Sequence, residues 1–370
     1  MRFYITVLFW LLGFLFLWKI PVPRKTEKPV FSPADTSIII PARNEEAALD
    51  RLLRSLRAQS CQPAEIIVVD DQSADATADV ARRHGATVIR SAGPPDGWAG
   101  KTWGCWQGAR RAKGNVFIFL DADTFLHQDG LTKITSTFEG DGLLSIQPFH
   151  AMEQAYERFS ALFNIVVMAS MKAFSVFGPI CKPLGAFGPC IVCTRKTYFA
   201  SGGHATVRGE ILEHLALGKQ FVRLGRPVLC YGGKGAVSFR MYPGGLGSLF
   251  AGFARSFATG ANSMSILALL PVVFWIIGAF GVTRHLVQSV LFGDMTGLLS
   301  WAALDLAYVV QVHWMLYRIG NFGFLTALLF QLPLLFFGIA FCWSLFLTFF
   351  RRKVRWKGRL VKTGAGESIV

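Results

Sequence analysis

A chain of 370 residues in which 52% are hydrophobic, with 33 Phe and 10 Trp, holds enough apolar side chain for a folded core and for membrane segments besides. That composition excludes a wholly soluble globular protein and points to one soluble domain with membrane helices attached. The formal net charge of +15 suits docking on anionic lipid, whereas the basic runs "RRKVRWKGR" and "ARRAKG" have no recognisable nucleic-acid fold around them, so no nucleic-acid partner is expected.

The first apolar stretch, 3–20, is preceded only by Arg2 and carries Lys19, Arg24, Lys25 and Lys28 at and after its end. No small-x-small cleavage site follows, so residues 1–22 read as an N-terminal transmembrane anchor whose positive side is cytoplasmic.

Residues 23–260 have ordinary polarity and read as the cytosolic catalytic domain. Short β-branched runs alternate there with helical patterns: "SIIIP" (37–41), a helix from Asn44 to about Ser60, "EIIVVD" (65–70), a helix from about Asp75, "ATVIR" (86–90) and then "NVFIFLDAD". This rhythm predicts an α/β, Rossmann-like parallel sheet with its ligands at the carboxyl ends of the strands. "PARNEE", "DDQSADAT" and "DADT" all fall at that edge. Asn44 with Glu45 and Glu46 also reads as a plain helix N-cap, and Ser73 or Asp75 as the next one.

Asp70 and Asp71 exceed what a cap needs. Asp121 and Asp123, two apart on an extended chain, face one way, and like charges so placed call for a cation; hard oxygen ligands suit Mn2+ or Mg2+. In "GWAGKTWGCWQGARRAKG" (97–114), Lys101 follows glycines that let backbone approach a ligand, and is placed to meet phosphate charge. Among the seven cysteines, Cys190 and Cys193 make a single C-x-x-C, short of a zinc site, and a cytosolic domain keeps them reduced.

The stretch 159–178 is strongly apolar, but a crossing there would put the acidic residues on either side of it, Asp123 and Glu213, on opposite faces of the bilayer, so it reads as interfacial or as a wall of a ligand groove. Leu246, Leu249, Phe250, Phe253 and Phe257 recur at helical spacing and predict a helix lying in the interface. Residues 261–350 read as a C-terminal transmembrane region with spans at 265–283, 297–316 and 324–350, followed by a basic cytosolic tail, 351–370. Three crossings conflict with the positive-inside rule unless the last turns back near Pro333.

"IIIPARNEE", "VVDDQSADAT", "GWAGK" and "FLDADT" together resemble family 2 glycosyltransferases, inverting enzymes of the GT-A fold, in their order and spacing. The resemblance implies a nucleotide-sugar site made by Pro41, Arg43, Glu45, Asp70, Asp71, Lys101 and Asp121, with Asp71 accepting from the imide of uracil. It implies a divalent cation, Mn2+ or Mg2+, on Asp121 and Asp123 that stabilises the leaving diphosphate. Further strings, among them "GLLSIQPFH", "AFGP", "YFASGGH", "FRMYPGG" and the terminal "WKGR", resemble the membrane-bound carotenoid-acid branch of the family. Gln147, His204, Arg240 and Arg255 are its acceptor-side candidates, with UDP-glucose as the implied donor and a lipophilic acceptor among membrane lipids.

Where the family reads Glu-Asp-x-x-Leu, with the Asp as base, this chain has Glu213 and His214. Three readings stay open: Glu213 acts, His214 acts, or the acceptor is a carboxylate that is already ionised and needs no base. A lipid hydroxyl, of a diacylglycerol or polyprenol, is the alternative acceptor. Arg255 lacks the Trp of the processive Gln-x-x-Arg-Trp signature, so a single transfer is expected.

Overall fold

The computed structural model describes residues 1–178, 183, 185–210, 212–260, 266–350, 353–356 and 359–362; side chains at 255–268 and beyond 347 lie outside that description. The chain opens with α1 (Arg2–Leu12), prolonged by a 3-10 turn to Leu15. Such a helix is about 21 Å long, short of the roughly 30 Å of hydrocarbon that the anchor expected over 3–20 would cross. Beyond it the backbone is extended and tied down: Val176 N–H donates to Leu15 O at 3.0 Å and Lys19 N–H to Phe174 O at 3.3 Å.

An α/β domain follows as β1 (Thr36–Ala42), α2 (Glu46–Arg57), β2 (Glu65–Asp70), α3 (Thr77–Arg83), β3 (Thr87–Arg90), α4 (Gly100–Arg111) and β4 (Val116–Leu120), close to the sequence reading. Helix α2 forms its face from Leu49, Leu52, Leu53 and Leu56, all buried at helical spacing. Helix α4 lies unusually near β1, because a Cβ on Gly108 would sit 2.4 Å from Ile39 Cγ2. Only glycine permits that approach, and it brings the N-terminus of α4, with Lys101, down to the carboxyl edge of the sheet.

After β4 come β5 (Thr124–Leu126), α5 (Gly130–Thr137), β6 (Leu143–Gln147), β7 (Phe149–His150), α6 (Ala161–Ser170), β8 (Cys190–Thr194), α7 (Arg195–Ala200), α8 (Glu213–Arg223), β9 (Val228–Gly232) and β10 (Val237–Phe239). The main sheet has seven strands in the order β3-β2-β1-β4-β8-β6-β9. Strands β1 to β4 are parallel, as expected, but β8 runs antiparallel to both β4 and β6, so the sheet is mixed. A second sheet, β5-β10-β7, begins directly after Asp123.

Helix α9 (Leu246–Gly260) is followed by α10 (Ile266–Phe292), α11 (Met295–Ile319), α12 (Phe324–Leu328) and α13 (Gln331–Phe350), and the last described strands, β11 (Lys353–Trp356) and β12 (Arg359–Lys362), pair antiparallel. Two of these helices, over Leu269–Phe292 and Met295–Ile319, are long and apolar enough to cross a membrane. The third expected span is broken at 329–330, ahead of Pro333. Proline then sits in the first turn of α13, where its missing N–H costs nothing.

The two apolar segments read as interfacial are placed differently from each other. Of the ten residues of α6 only Val167 reaches the surface, and the helix packs against α10, α11 and α13 as core. Leu249 and Phe253 of α9 are buried, with Phe253 stacked on Phe163 of α6, and α9 packs on α13. Phe257 lies outside the described side chains. Neighbouring helices thus cover α6, whereas on α9 Leu246 stays exposed beside the buried Leu249 and Phe253.

The link between α11 and α12 is stitched to the small sheet. Asn321 N–H donates to His150 O at 3.1 Å, and its side-chain carbonyl accepts from Met152 N–H at 2.6 Å. The apolar helices are thereby joined to the strands that run back to Asp123.

Candidate active site

Three loops meet at the carboxyl edge of β1, β2 and β4. The first two are stitched to each other: Asn44, held at φ 53°, accepts from Ala74 N–H at 2.8 Å, Glu45 N–H donates to Thr77 Oγ1 at 2.9 Å, and Glu46 N–H to Asp75 Oδ2 at 3.2 Å. Asn44 therefore does not cap its own helix as the sequence suggested; its oxygen secures the neighbouring loop. Asp75 does serve the start of α3, accepting from Thr77 N–H at 3.1 Å.

Of the aspartate pair at the end of β2, Asp70 turns back into its own loop, accepting from Ser73 N–H at 3.2 Å. Asp71 faces Arg43 across 3.4 Å. Both aspartates are buried. Pro41 packs under α4, where Gly104 leaves room for its ring.

Asp121 and Asp123 lie in a turn and not on an extended strand. Thr124 closes it, its N–H and hydroxyl donating to Asp121 O at 3.1 and 2.7 Å. Ala122 is buried, whereas Asp121 and Asp123 are partly exposed residues of the same turn. The next strand anchors the turn, Asp121 N–H donating to Pro189 O at 3.0 Å.

Lys101 is the hub. Its ammonium lies 2.7 Å from Asp121 Oδ1 and 2.9 Å from Glu213 Oε1, bridging the D-x-D turn to the first turn of α8. Burial alone would lower the Lys101 pKa, but the two carboxylates hold it well above the ordinary lysine value. Burial would likewise raise Glu213, yet Lys101 and then His214 keep its carboxyl far below the usual range. Glu213 also stands at the N-terminus of α8, where the helix dipole favours the ionised form.

His214 lies beside it, Nδ1 3.7 Å from Glu213 Oε1, with its ring against the backbone of Gly188. A Cβ on Gly188 would meet His214 Nδ1 at 2.7 Å, and one on Gly218 would meet Ala186 N at 2.5 Å, so the "AFGP" loop and α8 touch through glycines. Gly188→Ala is expected to push the imidazole aside and, if the acceptor arrives already ionised, to leave transfer within about threefold of wild type. Nucleotide binding, measured by titration with UDP and Mn2+, should be unchanged. A loss on the order of 10²-fold would show that His214 takes part in the transfer.

The acceptor-side candidates are placed unequally. Gln147 ends β6, and the register Leu120↔Cys190↔Ile146 sets it on the same edge as Asp121. His204 is buried, with Nδ1 2.9 Å from Tyr198 OH and its ring 4.9 Å from Phe119; burial lowers its pKa to about 4, so it is a neutral wall residue. Arg240 is engaged by Glu157 and Glu153, each at 2.8 Å, while its N–H donates to Asp123 O at 3.2 Å. It ties the metal-type turn to the segment before α6. The side chain of Arg255, on α9, lies outside the described residues.

Sequence reasoning gave no role to Gly188 or to the Glu153–Glu157 pair. Their signal is spatial: a glycine facing α8 from a distant loop, and acids that meet Arg240 only in the fold.

A mixed α/β sheet with acidic loops at one edge, joined to apolar C-terminal helices, is the architecture of a GT-A glycosyltransferase. The family model for "Glycosyl transferase family 2" matches residues 37–171, and the chain belongs to that family. It is 36% identical over 340 residues to the 4,4'-diaponeurosporenoate glycosyltransferase of Staphylococcus aureus strain N315, covering 90% of each chain. To the protein of the same name from strain USA300 it is 36% identical over 334 residues, 89% of this chain and 88% of that one. Among solved structures, the mannosyltransferase PcManGT of Pyrobaculum calidifontis, in complex with GDP-Man and Mn2+, aligns with a TM-score of 0.52 at 15% identity, over 93% of this chain and 99% of that one. At that identity the likeness is one of fold.

Proposed function

We propose that this protein transfers a single glucose from UDP-glucose, with inversion, to the carboxylate of a lipophilic acid of the diapocarotenoid class. The observation that carries the reading is the engagement of Glu213: the acid nearest the family's base position is held by Lys101 at 2.9 Å. A carboxylate so held is a poor acceptor for a hydroxyl proton, whereas an acid acceptor arrives ionised at neutral pH. Its oxygen attacks C1 as the bond from C1 to the diphosphate oxygen breaks, and the bonding pair leaves with the nucleotide. The names of the Staphylococcus relatives support the same acceptor class.

A divalent cation, Mn2+ or Mg2+, fits the donor set. Asp121 and Asp123 offer hard oxygen ligands in one turn, and among the described residues no cluster of three ligating side chains would hold a metal alone. That suits an ion bound by one or two carboxylates together with substrate phosphates. Because Lys101 meets the Asp121 carboxylate, Asp123 is assigned as the principal ligand. When bound, the ion supplies electrostatic relief to the departing diphosphate. Lys101 orients Asp121 and Glu213, and Asp71 with Arg43 takes the base of the nucleotide.

The catalytic domain, 23–260, is assigned to the cytoplasmic face, with α10 and α11 crossing the membrane, 1–22 contributing to the membrane region and 351–370 as a cytosolic tail. The length and apolarity of α10 and α11 support their crossing, and the cluster of Lys19, Arg24, Lys25 and Lys28 after the first apolar stretch supports the cytoplasmic side.

The test uses membranes containing the protein, Mn2+, labelled UDP-glucose and a diapocarotenoid acid, followed by organic extraction and mild alkali. Carotenoid-dependent label in the organic phase that alkali releases identifies a glycosyl ester. Label that forms without the carotenoid and survives alkali identifies an acetal on a lipid hydroxyl and overturns the carboxylate reading.

A further inference from the structure

Between α1 and α11 runs a groove of about 880 Å3, lined by Trp10, Phe14, Trp18 and Trp314 together with aliphatic residues of α11, and carrying Lys19. Its size lies within the roughly 300–1,000 Å3 of pockets that enclose small ligands. The Gln311 amide is already used: it accepts from Trp275 Nε1 at 2.7 Å and donates to Trp10 O at 3.1 Å. The buried Trp10 indole N–H has no hydrogen-bond partner among the described residues, one donor on otherwise apolar walls, which an ester carbonyl of a lipid could meet.

One end is cationic. Arg318, in the last turn of α11, stacks over Trp314 at 4.8 Å and donates to the carbonyls of Leu17 and Trp18, beside Lys19. Among the described residues neither Lys19 nor Arg318 enters an ion pair. This end adjoins the catalytic domain, where Lys234 Nζ donates to Tyr317 O at 2.9 Å and Gly232 N–H to Pro21 O at 2.8 Å. If α11 crosses the membrane, as read under Proposed function, the two cations and the indoles of Trp18 and Trp314 stand at head-group depth.

We infer that this groove binds one anionic membrane phospholipid, an acyl chain lying between α1 and α11 and its phosphate on Lys19 and Arg318. Charge complementarity selects an anion, and the aromatic walls select a chain. The acceptor of the transfer reaction is disfavoured as the occupant by position. The segment carrying Lys19 hooks onto β9, which lies three strands from β4 in the order β4-β8-β6-β9, about 14 Å across the sheet from the strand that presents Asp121. A carboxylate held there would not reach the donor sugar.

The experiment uses the full chain, purified in detergent, stripped of lipid and placed in phosphatidylcholine nanodiscs with or without phosphatidylglycerol. Phosphatidylglycerol is expected to raise the unfolding temperature and to persist as a one-to-one adduct in native mass spectrometry. Lys19→Gln should weaken that binding about fivefold, the worth of one basic residue near an anionic surface. Val310→Trp, which fills the groove, should abolish the adduct, while both variants keep the wild-type stability in phosphatidylcholine alone. Equal stabilisation by the two lipids, or an adduct that survives Val310→Trp, overturns the inference. Displacement of the phospholipid by a diapocarotenoid acid also overturns it, by making the groove the acceptor's seat. Loss of sugar transfer with the adduct intact would count against the proposed function and leave the lipid site standing.

Discussion

Asp123→Ala is expected to lower sugar transfer by about 10³-fold, while the unfolding temperature stays within the error of the measurement. The loss follows from where charge develops: removing one preorganised electrostatic partner of a leaving group typically costs two to three orders of magnitude. The stability is expected to survive because the turn is closed by Thr124 on Asp121 O and by Pro189 on Asp121 N–H, neither of which involves the Asp123 side chain. The informative readout is UDP affinity with and without Mn2+. In the wild type the ion should tighten UDP binding, and in Asp123→Ala that enhancement should vanish while metal-free affinity is retained. A variant that keeps more than a tenth of its activity, or still gains UDP affinity from Mn2+, would remove Asp123 from the role of principal ligand. Asp121→Asn makes the contrasting case. It deprives Lys101 of an ionic partner, so a change in stability should accompany its loss of activity.

The first four strands of the domain were legible because each is a β-branched or aromatic run with a turn signal at its end, and β1, β2 and β4 lie within a residue or two of their predicted positions. The long-range features were not legible. The antiparallel placement of β8 is decided by "AFGP" returning to Asp121, a contact between residues far apart in sequence. The apolarity of 159–178 was plain, but composition alone does not distinguish a helix covered by lipid from one covered by α10, α11 and α13. At the site, the residue types at each position were readable, but the sharing of Lys101 between two carboxylates was not: it depends on glycines 104 and 108 lowering α4 onto β1 and on α8 arriving from the other half of the domain.

Lys101→Met should cost both activity and stability, with a pH signature that separates the two. In the wild type one ammonium serves Asp121 at 2.7 Å and Glu213 at 2.9 Å, and Glu213 is buried. Breaking a fully buried pair typically costs about 3–5 kcal/mol, but the Lys101 side chain is 36% exposed, so screening reduces the expectation to about 2 kcal/mol. In the wild type the depressed Glu213 carboxyl contributes stability that is fully present above its unfolded pKa and is lost only as pH falls through its folded value. Without the lysine, Glu213 is a buried acid beside another carboxylate, so its folded pKa rises above the unfolded one and the penalty is present at neutral pH and relieved as pH falls. The gap in unfolding temperature between wild type and Lys101→Met should therefore be widest near pH 7.5 and narrow toward pH 5. Activity at pH 7.5 should fall on the order of 10²-fold. Lys101→Arg, which keeps the charge, should restore most of the stability and part of the rate, since a planar guanidinium meets the two acids with a different reach. A gap that is flat with pH would mean that Glu213 draws its ionisation from the α8 terminus and not from Lys101, and the carboxylate would again be a candidate base.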